Sequence, residues 1–184
     1  RKGHEVILGL PLDSDGFPVK DPGPLALRIS LTDEENLDRL NNILSLQQGY
    51  IGVEVMMGTK YTSDEEKVKE LLEKIHLHGL MVVDGAWNNQ SLIPEIATQL
   101  AMARVIATLK LDNVMAKTAI DARLKELDAV VKKQKSGIGV TTMTPAILEK
   151  LLVWIASLPG KGVELVPVSA MIETKGAVSE DGVE

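Results

Sequence analysis

Apolar residues along this chain fall into short, unbroken runs separated by longer amphipathic stretches. Val6-Ile7-Leu8-Gly9-Leu10 is the first run and has the length of a buried strand. Thr32-x-x-Glu35 is a capping box, and Leu37, Leu40, Ile43 and Leu44 behind it share one helical face. Tyr50 to Met57 reads as a second strand, ended by Gly58. Ser63-x-x-Glu66 predicts another capped helix, carrying Val68, Leu71, Leu72 and Ile75 and stopping at Gly79. Leu80 to Val83 is a third strand ending at Asp84, followed after a polar loop by a helix over 92–100. Arg104 to Leu109 begins a fourth strand that ends near Asp112-Asn113. A long helix then presents Ile120, Leu124, Leu127 and Val131, before a short fifth strand, Gly137 to Val140. Pro145 opens a helix with Ile147, Leu148, Leu151, Leu152 and Ile155 on its apolar face, and Gly160 and Gly162 end it. Val163 to Val168 reads as a sixth strand.

Strands apolar on both faces, alternating with amphipathic helices, predict an α/β fold in which helices cover a parallel sheet. Six strands suit an irregular or incomplete (β/α) barrel, and a doubly wound open sheet is the alternative. No Gly-x-Gly-x-x-Gly follows any strand, so a dinucleotide site has no fingerprint. A single domain over 1–172 with a flexible tail over 173–184 is expected. Arg1-Lys2-Gly3 reads as the end of a helix preceding the first strand, which predicts a fragment lacking its first strand and helix.

Charge and composition remove several function classes. The net charge is -6 and no basic stripe is interleaved with aromatics, which argues against nucleic acid. The chain has no cysteine, so disulfides, thiolate metal sites and a cysteine nucleophile are excluded. No apolar run approaches the roughly 18 residues of a membrane span, and no signal peptide is visible.

Parallel sheets place their sites at the C-terminal ends of the strands. That filter selects Asp13 and Asp15, Met56 and Met57, Asp84, Asp112 and Asn113, and Thr141 and Thr142. His4, His76 and His78 fall at the opposite end, so a histidine-based zinc site is not expected within the chain. Asp13, Asp84 and Asp112 are the candidate catalytic acids. Converging, they could hold a hard cation such as magnesium through oxygen, or two of them could act as an acid and base pair on a sugar. The competing reading is that each caps a helix or satisfies a loop backbone. Glu54 interrupts an apolar strand and is either a pocket carboxylate or half of an ion pair, with Lys110 as the partner considered. Trp87 beside Asn88 suits a sugar ring, stacked on one side and hydrogen-bonded on the other, unless the ring folds onto the rim. Asn113 and Thr141 complete the candidate substrate-binding set.

These segments together resemble one known family. Gly3-His4-Glu5-Val6-Ile7-Leu8-Gly9-Leu10-Pro11-Leu12, the Asp21-Pro22-Gly23-Pro24 motif, Gly49-Tyr50-Ile51-Gly52-Val53 followed by Met57-Gly58-Thr59, and Leu111-Asp112-Asn113 occur in the order found in the divergent polysaccharide deacetylases. The resemblance implies an irregular NodB-like barrel, a bacterial periplasmic or envelope location and a glycan or peptidoglycan-like substrate. It also implies metal-dependent removal of acetyl groups, in which a metal-bound water attacks the carbonyl and a carboxylate acts as base. Zinc is the metal the family implies, with carboxylate-bound magnesium or manganese if a site persists here. Two departures bear on this. Val55-Met56 stands where the family has Asn-His, and Gly139-Val140-Thr141-Thr142-Met143 stands where it has Gly-His-Pro-His-Pro. Methionine cannot replace histidine for a hard or borderline dication. A non-catalytic relative that binds glycan or an envelope protein is therefore the alternative to a hydrolase.

Overall fold

The computed structural model describes residues 3–85, 89–112 and 117–172. Strand β1 (Ile7–Pro11) leads through a long loop to helix α1 (Asp33–Ser45), β2 (Gly52–Met56) and α2 (Glu65–Leu77). β3 (Met81–Asp84), α3 (Ile93–Gln99), β4 (Arg104–Ile106) and β5 (Leu109–Lys110) follow. α4 (Lys117–Gln134), β6 (Gly139–Val140) and α5 (Pro145–Ser157) complete the order. β1 to β4 form a parallel sheet in sequence order, and β5 pairs in parallel with β6. The fold is α/β with a parallel sheet, as the alternation of patterns predicts. None of its described helices is long and apolar enough to cross a membrane.

Strand alternation gives the four-stranded sheet two unlike faces. Leu10, Val53, Val55 and Val82 pack against Leu40, Ile43, Leu71, Leu72 and Ile75 of α1 and α2 and Ile96 of α3. On the other face Met81, Val83 and Val105 form a smaller cluster, met by Ile7, Ile138 and the C-terminal residues Val168, Met171 and Ile172. The helices thus cover one face, and the second turns toward the chain's own C-terminal segment. Beneath α4 and α5 a third cluster joins Leu109 and Leu111 to Ile120, Leu124, Leu127 and Ile147.

The fourth strand divides where its partner changes. Ala107 N donates to Asp84 O of β3 at 2.8 Å, whereas Thr108 N and Leu109 N both donate to Ile138 O beside β6, at 2.8 and 3.1 Å. The backbone rotates between Ala107 and Thr108 to change neighbours, so one apolar run yields two short strands.

Helix starts follow local chemistry. At α1 the Thr32 hydroxyl accepts from Glu35 N and the Glu35 carboxylate accepts from Thr32 N, which completes the capping box. Thr32→Ala removes it and should cost about 1 kcal/mol, read as a lower urea midpoint at unchanged slope. The cap of α2 is Asp64, which accepts from Lys67 N at 3.0 Å, and not Ser63. Ser63 lies in a 3-10 turn, Tyr61–Ser63, and donates to Thr59 O at 2.9 Å.

Val163 to Val168 does not form the expected sixth strand. Residues 163–167 are irregular and carry no ladder, and Val168–Met171 is a 3-10 turn. Both ends of this strap are fixed. Gly162 holds a left-handed φ of 67° as the strap leaves α5, and Ser169 donates from its backbone N–H and its hydroxyl to the Glu5 carboxylate. That clamp ties the end of the strap to the residues before β1, and the strap between the two ends lies off β6. The expected tail, 173–184, lies outside the described residues.

Candidate functional site

Glu54 projects from the middle of β2 on the face opposite the helices, between Gly9 of β1 and Val83 of β3 in register. Neither neighbour offers a polar side chain. Among the described residues Glu54 has no hydrogen bond or ion pair, and no bridge links it to Lys110. Burial therefore raises its carboxyl above the usual carboxylate range. Met56, two residues on, lies on the same face and folds across β1. A Cβ built on Gly9 would meet the Met56 Sδ at 2.6 Å, so Gly9 makes room for the thioether. A glycine inside an apolar strand is the sequence signal for such a close approach.

The raised carboxyl fixes a sign for stability. Both folded and unfolded chains hold the Glu54 proton at low pH, so burial exacts no charge penalty there. As pH rises past the unfolded value, 4.5, and through the raised folded value, the folded state must ionise a half-buried group and loses stability. Glu54→Gln should melt at a higher temperature than the parent at pH 7, and the difference should vanish near pH 4. Thermal unfolding at both pH values measures it.

At the C-terminal end of β1, Asp13 is 5% exposed. Its backbone N–H donates to Leu27 O at 2.9 Å and its carbonyl accepts from Tyr61 N at 3.3 Å. Its carboxylate takes no hydrogen bond or ion pair from the described residues. Asp15, two residues on, is exposed, and its backbone N–H donates to the Thr59 hydroxyl at 3.2 Å, which ties the loops after β1 and β2 together. Between them Met57 holds a φ of 66°, a conformation that non-glycine residues occupy at a cost and that often marks working loops.

Asp112 follows β5. Its Oδ2 accepts from Thr142 N at 2.9 Å, across from the end of β6. Its Oδ1 is buried and has no partner among the described residues. A carboxylate oxygen removed from water without a donor is costly, and a ligand hydroxyl or amide would supply that donor. Thr141 is half-buried beside it. Parallel pairing of β5 with β6 therefore brings Asp112, Thr141 and Thr142 together.

Asp84 behaves differently. It pairs in register with Val55, whose side chain is in the helix-covered core, and is 4% exposed. Its Oδ2 accepts from Ser91 Oγ at 2.7 Å, just ahead of α3. The structure gives Asp84 a loop-holding place on the helix side, not one on the Glu54 face. Asp13, Asp84 and Asp112 do not converge: among the described residues no group of three or more histidine or acidic side chains could hold a metal ion. All three histidines are described and exposed, His4 ahead of β1 and His76 and His78 at the end of α2. Trp87, Asn88 and Asn113 lie outside the described residues. A cavity of about 980 Å³ opens away from this end, between α4, α5 and the strap.

Residues 1–172 match the family described as divergent polysaccharide deacetylase. The chain belongs to that family. In structure it is similar to an uncharacterized protein from Agrobacterium tumefaciens C58, with a TM-score of 0.89 and 28% identity over 92% of this chain and 69% of that one. No curated protein matches it in sequence. The family relation makes the chain polysaccharide deacetylase-like and points to a glycan. The metal centre of a deacetylase does not fit the described residues, because the position of the family's histidine on β2 carries the Met56 thioether and the carboxylates stand apart.

Proposed function

We propose that this member of the divergent polysaccharide deacetylase family engages an acetylated envelope glycan at the C-terminal end of its sheet and binds it without a histidine-held metal. The buried, unpartnered Asp112 Oδ1 carries the reading, because it is an acceptor that a sugar hydroxyl or acetamide N–H would satisfy. Thr141 flanks it, while Asp13 in the loop after β1 and Glu54 within β2 supply further acceptors. The two sheets, joined in sequence through Ala107 and Thr108, would together form one wall of an irregular barrel. Trp87, Asn88 and Asn113 stay proposed substrate contacts on their residue types and places in the sequence alone.

Calorimetric titration with a tetramer of N-acetylglucosamine tests this. Binding should persist with chelator present and weaken at least about tenfold in Asp112→Ala, the loss expected for one hydrogen bond to a charged group. Equal affinity in the variant would remove Asp112 from the site.

A second reading is hydrolysis of the acetyl group itself. The raised Glu54 carboxyl favours it, since a carboxyl that keeps its proton longer is suited to general acid work. Acetate release from the same tetramer, with and without added zinc or manganese, separates the two readings.

A further inference from the structure

We infer that the strap Val163–Val168 has a second position, in which it closes onto the free edge of β6 and becomes the strand its sequence encodes. Three observations meet here. First, β6 is half-used. Leu109 N donates to Ile138 O and Leu111 N to Val140 O, so Ile138 and Val140 turn their peptide groups toward β5. Gly139, between them, turns its own N–H and carbonyl the other way, where the described residues provide no strand. Second, the strap is unsatisfied. The peptide groups of Glu164, Leu165 and Val166 make no hydrogen bond to described residues, and Leu165 and Val166 are 60% and 40% exposed.

Third, the space between them is open. The cavity of about 980 Å³ is lined on one wall by Val131, Gly139 and Trp154 and on the other by Val163, Leu165 and Val166. Closing would carry apolar side chains of the strap into that space and give Gly139 a ladder partner. Both ends permit the move. Gly162 is a glycine with positive φ, and the clamp of Ser169 on Glu5 sits beyond Pro167, so the segment between can swing without releasing either anchor. β6 leads directly to Thr141 and Thr142, so the closed strap would stiffen the wall beneath Asp112. The inference does not depend on whether the site hydrolyses or only binds glycan.

The absence of cysteine allows a direct test. Val140→Cys is combined in turn with Glu164→Cys, Leu165→Cys and Val166→Cys, and each pair is oxidised. A parallel strand shows its side chains alternately to opposite faces, and a disulfide needs Cα atoms within about 7 Å. Cross-linking at 165 should therefore differ about tenfold or more from that at 164 and 166, in either direction. Equal cross-linking at all three positions describes a strap that moves without pairing and overturns the inference. So does cross-linking no faster than a Val140→Cys, Val19→Cys control, since Val19 is 93% exposed and remote in sequence. Hydrogen exchange on the unmodified chain gives an independent readout should a variant fail to fold. Gly139 and alternate strap amides should exchange about tenfold or more slowly than the Val19 amide. Exchange at the Val19 rate throughout contradicts closure.

Discussion

Gly52→Ala should cost about 3 kcal/mol or abolish the cooperative unfolding transition. Gly52 begins β2, fully inside the four-stranded sheet, and pairs with Ile7 on one side and Met81 on the other. A Cβ there would lie 2.4 Å from Met81 Cγ and 2.6 Å from the Met81 carbonyl oxygen. A flexible side chain could yield, but the carbonyl belongs to the neighbouring strand and can retreat only by distorting the pairing. Overpacking of this kind costs about 1–3 kcal/mol where the surroundings can adjust, and more where they cannot. Gly9→Ala is the contrasting case, because its Cβ would meet only the Met56 thioether, the end of a mobile side chain. Urea unfolding of both variants should show a large loss for Gly52→Ala and a small one for Gly9→Ala.

Leu72→Ala should cost about 3 kcal/mol, within the range seen when a fully buried leucine is truncated. Leu72 is 0% exposed and sits on α2 in the cluster that joins α1 and α2 to β1, β2 and β3. The cavity left behind cannot collapse easily, since the neighbours Val53, Val68 and Ile75 are themselves held by strand or helix. A fall in the urea midpoint at unchanged slope would give the measured loss. The ion pair between Lys67 and Asp33, by contrast, joins α1 and α2 at an exposed edge and should contribute little.

Much of the fold is legible because its strands are buried on both faces and its helices carry their own caps. Thr32 and Glu35 announce α1, and Val68, Leu71, Leu72 and Ile75 mark the face of α2. What the pattern cannot show is a change of hydrogen-bonding partner, since Ala107 and Thr108 are ordinary strand residues and only the positions of β3 and β6 divide them. Val163 to Val168 reads as a strand for a sound local reason, yet a strand also needs a neighbour within bonding distance. Residues 164–166 meet none among the described residues, and the Glu5 clamp from the far end of the chain fixes only where the strap ends.

The candidate site divides along the same line. That strand ends carry the chemistry is a rule of parallel sheets, and among the described residues the Asp13 carboxylate and the Asp112 Oδ1 find no partner there, while Asp112 Oδ2 is held by Thr142. The odd charge of Glu54 in an apolar strand was visible, and its isolation between Gly9 and Val83 explains why burial raises it. Asp84 could not be separated from the others by position alone. It ends a strand as they do, but the two-residue period of β3 turns it to the helix side, where Ser91 holds it. Metal ligation was the least legible feature, because it requires side chains from distant strands to meet.

The most direct test of the central claim is to map amide shifts as the N-acetylglucosamine tetramer is titrated into the chain with chelator present. Saturable shifts at Leu111, Asp112, Thr141 and Thr142, extending to Glu54, are the predicted result. Shifts confined to the helix side around Asp84 and Ser91, or no saturable shifts, would contradict a glycan site at the C-terminal end of this sheet.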